Sequence, residues 1–121
     1  MKKQPKVKTV DAKWSELVKV RAGYLCEHCL CETTLNSHHI FGRKNYSTRW
    51  DLDNGICLCS YCHMFNSKFS AHETPTLFSD WVKKYRGEEW YDNLRRKANA
   101  PYDHDRTKAY EELKRIEKGK K

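Results

Sequence analysis

Apolar side chains recur at helical spacing soon after the start of the chain. Trp14, Leu17, Val18 and Ala22 fall on one face, Asp11 suits an N-cap, and Gly23 suits the close of the helix. From Ser37 to Leu58 the pattern becomes two short apolar pieces around a polar loop. Ile40 and Phe41 follow a His-His pair, Gly42 to Trp50 is long and polar, and Asp51 to Gly55 carries turn chemistry. Ile56-Cys57-Leu58 reads as the returning strand. A helix is expected to open at Ser60, with His63, Met64, Phe65 and Lys68 on it. A longer helical stretch follows from Thr76 to Lys97, broken near Gly87, with Phe78, Trp81, Val82, Trp90 and Leu94 among its apolar positions. Asn99 to Arg106 is a turn-rich linker containing His104. A charged helix is predicted from Thr107 to Lys118, with Tyr110, Leu113 and Ile116 on one stripe.

Composition narrows the class. A chain of 121 residues with 38% hydrophobic and 33% charged positions admits one small domain with tails and a modest core. Such a chain commonly needs a metal or disulfide staple. No apolar run has the length of a membrane span and no apolar leader opens the chain, so a membrane or secreted protein is not expected. Lys plus Arg number 24 against 16 acids, a net charge of +8 that suits a polyanionic partner. Residues 1–10 hold four lysines, one proline and no acid, and are expected to form a basic flexible arm. From Pro101 onward seven basic and five acidic residues nearly balance, which favours a salt-bridged surface helix over a DNA-reading one.

Six cysteines without a leader point to a reducing, cytoplasmic setting, where paired thiols bind metal more often than they bridge. Cys26-x2-Cys29 and Cys59-x2-Cys62 are matched pairs that can supply four thiolates in tetrahedral geometry, the arrangement of structural zinc. Cys57-Leu-Cys59 could shift that register, and reduced cysteines without metal are the plainer alternative. Cys57 reads as a small hydrophobe on the strand, and His28, inside the first pair, as solvent-facing. Between the pairs lie His38-His39-Ile40 and Asp53-Asn54-Gly55, and His63 follows Cys62. Adjacent histidines on a strand point to opposite faces, so one can ligate a cation while the other addresses a water. Two imidazoles with open positions describe a catalytic cation site separate from the zinc.

The order Cys-x2-Cys, His-His-Ile, Asn-Gly-Ile, Leu-Cys-x2-Cys-His resembles the zinc-knuckle HNH endonucleases of the ββα-metal (His-Me finger) superfamily, over about residues 14 to 75. The string HHIFGRKNYSTRWDLDNG is also similar to small bacteriophage members. The resemblance implies an α+β fold: a small ββα-metal core with a four-cysteine zinc knuckle, flanked by N-terminal and C-terminal helices. The nuclease domain would occupy residues 11–97, and residues 98–121 a linker and charged helix. By motif position His39 becomes the general base, and Asn54 pins the loop that orients it. His38 and His63 become ligands of a catalytic divalent ion (magnesium, manganese, nickel or zinc). Products would carry 5′-phosphate and 3′-hydroxyl ends.

One departure concerns the third ligand. Many relatives carry a second helix histidine four residues after the first, where this chain has Ser67. His72 is the substitute, with Asn66 or a water as alternatives. Arg43, Lys44 and Arg49, in a stretch free of acids from Thr33 to Trp50, are candidate phosphate contacts. The expected partner is DNA, double-stranded or branched, engaged by a monomer or homodimer, with phage packaging or recombination proteins as further partners. The competing class is a non-catalytic, zinc-stabilised nucleic-acid-binding module or adaptor, which would not need His39.

Overall fold

The computed structural model describes residues 3–102 and 105–119 and has an α+β fold. Its centre is an antiparallel hairpin of β1 (Leu35–His39) and β2 (Gly55–Cys59). Helix α1 (Val7–Arg21) lies on one face of the hairpin, and α2 (Pro75–Arg86) on the other. Helix α3 (Glu88–Ala98) packs on α2, and α4 (Arg106–Gly119) on α1. Among the described residues no helix is long and apolar enough to cross a membrane.

Strand β2 is buried along its whole length, and its twofold alternation divides the core. Ile56 and Leu58 join Cys26, Phe78 and Val82 on the α2 side. Cys57 joins Val10, Trp14, Leu17, Val18 and Leu113 on the α1 side. Cross-strand partners share a face, so the register decides where the paired histidines go. His38 lies opposite Ile56 and faces α2, whereas His39 lies opposite Gly55 and faces α1. Gly55 is required there for space: a Cβ would stand 2.4 Å from Val18 Cγ2 and 2.8 Å from the Trp14 ring. Gly55→Ala is therefore expected to lower the thermal midpoint, at a cost of about 1–3 kcal/mol of overpacking, and an unchanged melt would contradict this packing.

Helix α1 begins at Val7, four residues before the expected cap, and brings Val10 into the apolar stripe with Trp14, Leu17 and Val18. Asp11 is drawn away from capping because its carboxylate accepts hydrogen bonds from Arg49 and from Trp50 Nε1. The expected arm over residues 1–10 is thus helical from Val7. Met1 and Lys2 lie outside the described residues, as does His104 of the linker. Helix α4 completes the domain core: Leu113 is buried against α1, and Lys13 pairs with Glu117 at 2.9 Å.

The helix expected from Ser60 is a single wide turn, Tyr61–Phe65, closed by Asn66 N–H donating to the Tyr61 carbonyl. Polar side chains then take over the backbone groups that a helix would use. Asn66 Oδ1 accepts from Lys68 N–H, Thr74 Oγ1 accepts from Ser70 N–H and donates to the Ser70 carbonyl, and Ser70 Oγ accepts from Glu73 N–H. The returning chain lies beside the turn, with Ala71 N–H on the Cys62 carbonyl and His72 N–H on the His63 carbonyl. The stretch from Thr76 to Lys97 divides at Gly87, whose φ of +98° a side chain rarely adopts.

Candidate metal centres and active-site cleft

The Sγ atoms of Cys26, Cys29, Cys59 and Cys62 all lie within 4.8 Å of one another. Each pair forms the same local turn: Cys29 N–H donates to Cys26 Sγ, and Cys62 N–H to Cys59 Sγ, both at 3.4 Å. Burial opposes ionisation of Cys26, but surrounding backbone N–H groups bring its thiol down to about 7. Burial and neighbouring thiols push Cys29 up to about 12 and raise Cys62 as well. Four thiolates this close need a cation among them, so the donor set fits a structural metal ion. Cys57 stands outside the group, packed toward α1, while Cys59, at the end of β2, departs from the strand's alternation and joins the α2-side cluster.

His28 is only partly exposed. Its ring stacks on Phe69 at 3.7 Å and meets the Trp81 edge, and its Nδ1 lies 3.4 Å from Cys62 Sγ. The returning loop and α2 cover the first cysteine turn, and the imidazole face joins their aromatic packing.

On the same face of the hairpin, a second group forms from His38, His63 and His72, whose ligand nitrogens lie within 4.8 Å of one another. His63 Nε2 stands 3.1 Å from His38 Nδ1 and 3.2 Å from His72 Nε2. Strand β1 supplies the first, the wide turn the second, and the backbone pairing of His72 with His63 delivers the third despite a separation of nine positions. Burial pushes His38 down to about 3, helped by the charges of His63 and His72, and burial also lowers His63. His38 and His63 are therefore neutral near pH 7 and offer lone pairs, and with His72 beside them the trio fits a divalent cation.

His39 lines the same cleft, of about 450 Å³, from the opposite face of the strand. Its ring stacks on Trp14 at 3.8 Å with planes 11° apart, and Trp14 Nε1 is itself anchored on the Asp51 carbonyl. His39 Nε2 lies 3.0 Å from the Arg49 carbonyl oxygen. A carbonyl only accepts, so this nitrogen carries the proton and Nδ1 keeps the lone pair. Burial, above all, pushes His39 down to about 4.

Asn54 is fully buried and closes the loop around this ring. Its Oδ1 accepts from Phe41 N–H at 2.7 Å, its Nδ2 donates to the Phe41 carbonyl at 2.9 Å, and its carbonyl accepts from Ile40 N–H.

Of the three candidate phosphate contacts, Arg43 and Lys44 are exposed, and Arg43 lines the cleft. Arg49 has another task. Its guanidinium grips both oxygens of Asp11 and donates to the Arg43 carbonyl, holding the carbonyl that fixes His39. Burial resists the Asp11 charge, but the Arg49 and Trp50 hydrogen bonds and the guanidinium charge hold its carboxyl below the usual range. The supports from Trp14 and Asp11 were not legible in the chain, where one reads as core and the other as a cap. Their spacing of three on α1 is the only local sign of a shared role. No family model, curated protein or solved structure matches this chain.

Proposed function

We propose that the protein is an HNH-type, metal-dependent endonuclease that hydrolyses DNA phosphodiester bonds, with structural zinc on Cys26, Cys29, Cys59 and Cys62. Support comes above all from one arrangement: three converging imidazoles beside a fourth, His39, which is held apart from them and keeps a free lone pair. His38, His63 and His72 would hold the divalent cation, whose chemistry there is to offset negative charge on the phosphate. His39 Nδ1 takes a proton from the water whose oxygen attacks phosphorus, and the 3′ oxygen leaves. Trp14 and the Arg49 carbonyl keep the imidazole in one orientation and one tautomer during that transfer. Asn54 holds the loop end by its two bonds to Phe41. Arg43 and Lys44 position the DNA backbone without reading sequence.

A zinc-stabilised binding module would use the cysteines and the basic loop alone, leaving the histidine cluster without a task. The test is plasmid cleavage by the purified protein, first with EDTA and then with magnesium, manganese, nickel or zinc restored. Supercoiled plasmid is expected to become open-circular or linear only with added metal. Salt-sensitive DNA binding without cleavage under every metal would favour the binding module.

A further inference from the structure

The five-residue turn Tyr61–Phe65 is divided between two tasks. Cys62 is buried in the cysteine group and His63 reaches His38 and His72. The other three positions are all large and apolar, and all face outward: Tyr61 is 62% exposed, Met64 44% and Phe65 67%. None of the three belongs to either core cluster. The i to i+5 closure of the turn leaves Tyr61 and Phe65 four positions apart at its two ends, while His63 reaches inward to His38 and His72. Two exposed aromatic rings on one short turn add little to this fold, and burial is what such side chains otherwise gain.

The charge around this patch selects its partner. Lys68 is exposed three residues after Phe65, Arg43 and Lys44 are exposed in the loop after β1, and the chain carries +8 overall. Flat rings beside cationic side chains match the two parts of a nucleotide whose base is unpaired: the base stacks, and the phosphate meets the cation. Bases within intact duplex are already stacked on each other and present no face.

We infer that Tyr61 and Phe65, with Met64 beside them, form a stacking platform for unpaired bases and direct the protein to single-stranded or locally opened DNA. This rests on the proposal that DNA is the substrate, and it names the DNA structure that the protein takes. The turn that supplies a ligand from its inner side thus grips a base on its outer side.

The test compares zinc-loaded wild type with Tyr61→Ala/Phe65→Ala, binding labelled oligothymidine or a duplex of equal length, over a range of salt and without other divalent metal. The double variant is expected to lose about tenfold or more in single-strand affinity. Its duplex affinity should change less than about twofold, and its salt dependence should stay as in wild type because no charge has been removed. Arg43→Ala/Lys44→Ala should instead weaken both DNA forms and flatten the salt dependence. Should the alanine pair fail to fold, Tyr61→Leu/Phe65→Leu keeps apolar bulk and removes only the rings, with the same loss expected.

Wild-type single-strand affinity in the folded variants would overturn the inference and leave the patch to a protein partner. An equal loss on both DNA forms would also overturn it. If no metal supports plasmid cleavage yet the ring variants lose single-strand binding, the nuclease proposal fails and the platform stands. If plasmid is cut but ring removal changes nothing, the reverse holds.

Discussion

Replacing His39 with Ala is expected to lower DNA cleavage by roughly 10²- to 10⁴-fold, the usual worth of a positioned general base. The expectation rests on three constraints acting on one ring. Trp14 holds its face at 3.8 Å, the Arg49 carbonyl fixes the proton on Nε2, and Nδ1 is left with a lone pair in the cleft. The Arg49 carbonyl is in turn steadied by the salt bridge from Asp11 to the same residue, at 2.7 Å. The substitution also removes ring packing and leaves that carbonyl without its partner, so a stability loss of about 1–3 kcal/mol should accompany it. Thermal unfolding separates the two effects: the variant should still fold, keep its zinc and bind DNA, yet fail to cut. His38 and His63 variants should differ by losing the second metal itself. If His39→Ala retains more than a tenth of wild-type cleavage, His39 is not the base.

Local pattern made part of this arrangement readable in the chain. The paired cysteine spacings and the strand Ile56–Leu58 depend on neighbours a few residues apart, and both appear in the fold. Opposed directions for His38 and His39 follow from strand geometry once the strand is recognised, and they are observed. What could not be read were choices decided by distant partners. Asp11 has the chemistry of a cap, but Arg49 and Trp50, some forty positions on, take its carboxylate and the helix starts earlier. The same contact turns Arg49 from a surface base into a support. His28 looks polar beside two cysteines until Phe69 and Trp81 fold over it. The helix expected after Ser60 ends within one turn because Asn66, Ser70 and Thr74 bond backbone locally, and that interruption is what returns His72 to His63.

Cys59→Ser is expected to lose bound zinc and the cooperative fold together. Cys59 ends β2, is 4% exposed, receives the Cys62 N–H, and stands 3.6 Å from Cys29 Sγ, so it touches both cysteine turns. A serine hydroxyl stays protonated at neutral pH and is a poor zinc ligand, leaving three thiols, of which Cys29 and Cys62 are costly to ionise where they are. Structural zinc contributes about 10–16 kcal/mol of apparent binding free energy in small zinc-finger peptides, and in such domains binding is folding. The core here is small and split across the hairpin, so it has little to replace that contribution. The control is Cys57→Ser, on the same strand but facing α1. It should keep full zinc and cost only about 1–3 kcal/mol for a hydroxyl placed among Trp14, Leu17 and Leu113. Zinc content by elemental analysis, read beside circular dichroism melts, distinguishes the two variants. A folded Cys59→Ser with one zinc per chain would move the fourth ligand to Cys31 or Cys57. Loss of zinc with the fold intact would instead show that packing across the hairpin suffices without metal.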